Sequence, residues 1–126
     1  MISLESLASN HVQAVTQIEK GSRPSPWTYT QFESEINNSN SHPLVLLEDD
    51  IVIGYVIPWR IAGEIQIQNI VVDPAQRGRG LGELLLNVAL DRGLEAGCDS
   101  AILEVRESNH PAIGLYTKYR FEIVGK

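Results

Sequence analysis

The sequence is poor in cysteine. It has one, Cys98, which cannot close an internal disulfide and fits a reducing compartment. Cys98 follows Ala96 and Gly97 near a helix end, where a small buried hydrophobe is expected; the other use would be as an acyl-carrying nucleophile. Basic residues are also scarce. Lys and Arg number 10 against 16 Asp and Glu, a net charge of −6. That balance argues against nucleic acid as a direct partner and would suit a basic peptide or amine. No apolar run reaches the roughly 20 residues of a membrane span, and the first residues lack a charged-then-apolar leader pattern. No membrane partner and a cytoplasmic location are therefore expected. The three histidines, His11, His42 and His110, show no metal-ligand spacing, so no metal is expected. At 126 residues the chain is expected to form one domain, residues 1–126, around one core.

What is present reads as short alternating elements. Ile2–Leu7 reads as a strand. Ser9 and Asn10 offer an N-cap, and Val12, Val15 and Ile18 recur at helical spacing until Gly21. Gly21–Trp27, with Pro24 and Pro26, is a loop, and Thr28 caps a second short helix through Ile36. Asn37–Ser41 is polar and turn-rich. His42–Leu47 and Ile51–Ile61 are apolar and β-branched on either side of Glu48-Asp49-Asp50, a hairpin. Ala62-Gly63 turns into a fourth strand, Glu64–Val72. There Ile65, Ile67, Asn69 and Val71 alternate with Gln66, Gln68, Ile70 and Val72, and both faces become apolar toward the end. That end is expected to be covered on both sides. Leu81–Ala96 is the strongest helical segment, with Leu84, Leu85, Val88 and Leu94 as its stripe and Gly97 as its stop. Ser100–Arg106 is a fifth strand. Asn109 caps a further helix with Pro111 in its first turn, and Phe121–Val124 begins a sixth strand. Antiparallel strands followed by a right-handed strand–helix–strand crossover make a mixed α/β sheet.

The most informative stretch joins the fourth strand to the long helix. It reads Asn69-Ile-Val-Val-Asp-Pro-Ala-Gln-Arg-Gly-Arg-Gly-Leu-Gly82. Glycines let backbone approach a ligand closely, and the first N–H groups of a helix have no internal acceptor. The helix dipole adds positive character there, and Arg77 and Arg79 add full charges. A diphosphate would sit well in such a cradle. A P-loop is set aside, since neither its lysine nor its Ser/Thr is in place. A dinucleotide fingerprint is set aside too, since the spacing is G-x-G-x-G behind a five-residue spacer, Asp73–Arg77. The pattern that fits is R-x-x-G-x-G, filled by Arg77, Gly80 and Gly82. A glycine-rich turn that binds nothing is the plain alternative.

This pattern resembles the acetyl-CoA pyrophosphate loop of the GNAT family of N-acetyltransferases, and the resemblance covers nearly the whole chain. It implies the GNAT acyl-CoA N-acyltransferase fold, with the fourth and fifth strands splayed and acetyl-CoA lying in the gap. It also implies coenzyme contacts at Ile70, Val71 and Val72, at Arg77, Gly78, Arg79, Gly80, Leu81, Gly82 and Glu83, and at Asn109, which as a sequence feature is equally a helix cap. Three segments look like the RimI-type branch, which acetylates protein N-termini, typically the N-terminal alanine of a small ribosomal-subunit protein. They are Pro26-Trp27, Leu103-Glu-Val-Arg-Glu-Ser-Asn109, and Ala112-Ile-Gly-Leu-Tyr116 followed by Phe121. The acceptor that this resemblance implies is a protein N-terminus, such as that of a ribosomal protein. A small-molecule amine acetyltransferase and a non-catalytic CoA-binding module are the competing readings.

An amine must lose its proton before it attacks a thioester. A free α-amine has a pKa of about 7.7–8.0, against about 10.4 for lysine, so an ordinary carboxylate base favours an N-terminal acceptor. Glu104, mid-strand on the face of Ile102 and Arg106, is the candidate base. Its plain alternative is a solvent-facing glutamate paired with Arg106. Tyr116 is the candidate acid, since a tyrosine of pKa about 10 stays protonated and can give its proton to the thiolate leaving group. The matching family tyrosine has that role; a core tyrosine is the alternative, and Tyr119 is a rival. Backbone N–H groups around Ile70–Val72 are the expected oxyanion donors. The chain departs from the family at Tyr119-Arg120-Phe121, where Leu-Gly-Phe is usual. It also stops at Lys126, before the usual seventh strand. The expectation is a last strand missing and an open sheet edge, which a second copy of the chain could fill as a homodimer.

Overall fold

The computed structural model describes residues 1–103. Within them the order is β1 (Ile2–Ser6), a 3-10 turn at Ser9–His11, α1 (Val12–Lys20), α2 (Tyr29–Ile36), β2 (Leu44–Glu48), β3 (Ile51–Ile61), β4 (Glu64–Val72), a 3-10 turn at Pro74–Gln76, α3 (Leu81–Glu95) and β5 (Ser100–Leu103). The sheet runs β1-β2-β3-β4-β5. Neighbours are antiparallel except β4 and β5, which are parallel over Glu64–Ile67 and Ser100–Leu103. The helix expected after Asn109 and the sixth strand lie outside the described residues.

Local chemistry sets these boundaries. Thr28 Oγ1 accepts the Gln31 amide at 3.2 Å while Gln31 Oε1 accepts the Thr28 amide at 2.7 Å, a reciprocal cap that starts α2. The cap expected from Ser9 and Asn10 is not used. His11 Nδ1 instead accepts the Ala8 amide at 3.0 Å, and the first turn tightens to a 3-10 form before α1. Both hairpins turn on paired positive φ angles, Asp49 and Asp50 at 50° and 68°, and Ala62 and Gly63 at 50° and 80°. That twist matches the twist of the flanking strands.

Two bulges decide which side chains go where. Leu46 pairs with Gly54 and Leu47 with Val52, so Ile53 is extra on β3. Ile57 pairs with Asn69 and Pro58 with Ile67, so Gln68 is extra on β4. Pro58 has no N–H to give to the ladder, and an interrupted ladder is where a strand proline is tolerated. One extra residue reverses the facing of everything after it. Ile65 and Ile67 therefore pack on the α3 side, whereas Val71, of the same parity, packs on the α1–α2 side. Ile70 and Val72 turn onto the α3 side instead. The end of β4 is covered on both sides, as its sequence implied, but its alternating residues do not share one face.

The apolar stripe of α3 is also displaced from the expected one. Leu81, Leu85, Leu86, Ala89, Leu90 and Gly93 are buried, while Leu84 and Leu94 are exposed. Gly93 explains the shift, because the helix approaches β4 so closely there that an added Cβ would overlap the Ile65 side chain. Gly93→Ala is expected to cost roughly 1–3 kcal/mol through overpacking, read as a lower urea midpoint at unchanged slope. On the other face Phe32 stacks edge-on to Tyr55, with centroids 5.4 Å apart, and lies 5.3 Å from Trp27. These rings anchor α2 and the connection before it.

Candidate active site

The loop between β4 and α3 is built by Asp73, whose side chain accepts the Ala75 amide at 3.0 Å and sets the turn at Pro74–Gln76. Gly78 and Gly80 then take φ of +85° and +73°, and nothing lies within 4 Å of where either would carry a Cβ. Left-handed backbone with open space in front is what a ligand approaching the main chain requires. The first helical bond of α3 runs from the Leu84 amide to the Gly80 carbonyl at 3.1 Å. Among the described residues, no acceptor is present for the amides of residues 77–83. The loop therefore presents a run of unpaired N–H groups at a helix N-terminus.

The two arginines of the loop differ. Arg77 Nε donates to the Val72 carbonyl at 3.4 Å, and its terminal nitrogens have no partner among the described residues. Arg79 is engaged. Its Nη1 and Nη2 reach Glu48 Oε1 at 3.0 Å and Oε2 at 2.7 Å, and Nη1 also donates to Gln76 Oε1 at 2.6 Å. Hydrogen bonding to Arg79 holds the Glu48 carboxyl below the usual carboxylate range, and Glu48 in turn raises Arg79. The pair ties the loop to the β2–β3 hairpin. A carboxylate with a depressed pKa contributes fully above its unfolded value and loses that contribution as pH falls through the folded one, so this tie weakens only in acid. Glu83 stands exposed in the first turn of α3, where its carboxylate would repel an anion and only its amide can donate.

β4 leads into this loop. Ile70, Val71 and Val72 pair with Val56, Tyr55 and Gly54 of β3, and among the described residues β5 accompanies β4 only as far as Ile67. Beneath this end lies a polar cluster that the sequence reading missed. The Glu19 carboxylate is fully buried. Its Oε1 accepts from Tyr55 Oη at 2.6 Å and Asn69 Nδ2 at 3.1 Å. Its Oε2 accepts from the Trp27 amide at 2.9 Å and lies 3.3 Å from Arg23 Nε. Arg23 Nη2 closes the ring by donating to Asn69 Oδ1 at 2.7 Å. Burial, and then the Glu19 carboxylate, push the Tyr55 phenol far above its ordinary range, so it remains a neutral donor. A signal was available: Glu19 falls on the same helical stripe as Val12 and Val15.

Glu104, Asn109 and Tyr116 lie outside the described residues, so the structure brings the loop and the β4 end together without placing the proposed base and acid. Among the described residues no group of His, Cys, Asp or Glu could hold a metal, and no helix is long and apolar enough to cross a membrane. Cys98 is buried.

Residues 12–121 match the acetyltransferase (GNAT) family. The chain belongs to that family. It is an N-acetyltransferase in the same sense, and its mixed sheet is the GNAT fold. A crystal structure of the ribosomal-protein-S18-alanine N-acetyltransferase from Escherichia coli superposes with a TM-score of 0.82 at 30% identity, covering 94% of this chain and 76% of that one. A Bacillus subtilis protein that carries the corresponding name provisionally is 40% identical over 109 residues, 86% of this chain and 72% of its own. A Thermoplasma acidophilum N-acetyltransferase solved with coenzyme A shares the fold at a TM-score of 0.72 and 17% identity.

The free amides, the two open glycines and the unpaired end of Arg77 fit the diphosphate of a coenzyme A. Because Glu48 adds negative charge beside that position, Glu48→Gln is expected to tighten acetyl-CoA binding about two- to fivefold, more at low salt. A calorimetric titration reads this directly. Weaker binding would mean that the pair holds the loop in its binding shape.

Proposed function

We propose that this GNAT chain transfers an acetyl group from acetyl-CoA to the α-amine of a protein N-terminus, with an N-terminal alanine of a ribosomal protein as the acceptor class. The observation that carries the donor half is the run of unpaired amides over residues 77–83. The acceptor half is supported by the names of the Escherichia coli and Bacillus subtilis proteins and by the resemblance of the sequence segments around Glu104 and Tyr116 to the RimI-type branch. The donor supplies an acetyl thioester, and the chain supplies the rest. Amides of residues 77–83 and Arg77 hold the diphosphate, with Asn109 as a further contact. Backbone N–H groups around Ile70–Val72 face the carbonyl oxygen as it gains charge. Glu104 takes the proton of the attacking amine, directly or through one water, and the Tyr116 hydroxyl gives a proton to the departing sulfur. A carboxylate suffices because the α-amine, with a pKa of about 7.7–8.0, is already partly deprotonated at pH 7–8. We place this activity in the cytoplasm, in one domain over residues 1–126.

An acetylation assay with acetyl-CoA tests the reading. Alanine-initiated peptides are expected to turn over at least about tenfold faster than N-blocked lysine peptides or free small amines. Faster turnover of small amines would move the acceptor to that class, and coenzyme binding with no turnover of any amine would contradict the enzymatic role.

A further inference from the structure

A second cavity lies at the opposite end of the sheet from the acetyl-CoA loop. It is open to solvent and has a volume of about 650 Å³, within the range of small-molecule sites of roughly 300–1,000 Å³. Its walls come from the end of β1, the start of β2, the end of β3 and the last turn of α3. The 15 residues of α3 put about 22 Å between its two ends, so the cavity is separate from the loop at the helix N-terminus. The walls are pinned by backbone bonds, Leu7 to the Pro43 carbonyl at 3.0 Å, His42 to the Pro58 carbonyl at 2.9 Å, and Arg60 to the Asn40 carbonyl at 2.8 Å.

Two unpaired guanidiniums set its chemistry. Arg60 and Arg92 both line it, and among the described residues neither has a carboxylate within ion-pair distance. In a chain of net charge −6 that is unexpected. Arg60 Nε is itself buried and has no acceptor, so this guanidinium carries unmet hydrogen-bonding capacity. Among the described residues that line it, Glu95 is the one carboxylate against two guanidiniums. Leu7, Ile36, Pro43 and Leu44 supply its apolar lining.

From this arrangement we infer a second ligand site, for a small carboxylic acid whose carboxylate takes the Arg60 guanidinium and whose short apolar body lies against the apolar lining. A guanidinium presents its N–H donors as a planar fork that matches the two oxygens of a carboxylate. Arg92 supplies the second charge from the rim. His42, which also lines the cavity, is held below its ordinary pKa by burial and then by Arg60, so it reports on any anion that offsets Arg60.

The test is a hexanoate titration of the full chain, followed by NMR at the His42 ring and repeated with acetyl-CoA bound. Saturable binding is expected, with the His42 titration moving to higher pH and no competition from acetyl-CoA. Arg60→Met is expected to weaken hexanoate at least about tenfold, and Arg60→Lys, which keeps the charge and loses the fork, to weaken it less. Equal affinity in both variants, displacement of hexanoate by acetyl-CoA, or equal binding of hexylamine would overturn the inference. None of these outcomes depends on the acceptor assigned above.

Discussion

Glu104→Gln is expected to lower kcat for an alanine-initiated peptide by about 10²–10⁴-fold, the usual contribution of a positioned general base, while the Kd for acetyl-CoA stays near that of the unaltered chain. The amide keeps the size of the carboxylate and cannot accept a proton. The loss should shrink as pH rises past the acceptor's own pKa of about 7.7–8.0, because free amine is then present without a base. Stopped-time acetylation across pH 6.5–9.5 checks both points. Tyr116→Phe should behave differently, with a smaller loss that persists at high pH, because it removes the proton given to sulfur. A Glu104→Gln chain with full turnover at pH 7 would show that the base lies elsewhere.

The second large effect is on stability. Glu19→Ala is expected to cost about 3–5 kcal/mol, seen as a lower urea midpoint, because it strips the acceptor from three donors and the counterion from Arg23 at once. Tyr55 Oη, Asn69 Nδ2 and the Trp27 amide lose their partner, and the Arg23 charge loses its counterion. Tyr55→Phe removes only one of these donors and leaves Asn69 on the same oxygen, so about 1–2 kcal/mol is expected. A Glu19→Ala loss below about 1 kcal/mol would mean that water replaces the carboxylate and that the cluster does not tie α1 to β3 and β4.

Much of the architecture was legible because it rests on local rules. Thr28 with Gln31 announces a helix start, Asp49-Asp50 and Ala62-Gly63 announce tight turns, and the break at Asp73-Pro74 announces the loop. The shape of the loop after β4 was legible for the same reason, since it rests on backbone and glycine, which a short pattern records directly. The misread parts are those where tertiary geometry overrides period. A period-two pattern through β4 is continuous in sequence, but Gln68 bulges out of the ladder and sends Val71 to the face opposite Ile67. The α3 stripe was drawn through Leu84 and Leu94 because hydrophobicity favours leucine over glycine. The helix instead buries Gly93, where close contact with Ile65 excludes a side chain. The engagement of Arg79 by Glu48 crosses 31 positions, a separation that no local pattern encodes.

The most direct measurement is amide NMR of the chain during an acetyl-CoA titration. One-to-one saturation is predicted, with the largest amide shifts confined to residues 77–83 and the end of β4, and with Gly80→Val losing most of the affinity. Saturation with shifts elsewhere and none at these amides, or no saturation at all, would contradict the cradle on which the account depends.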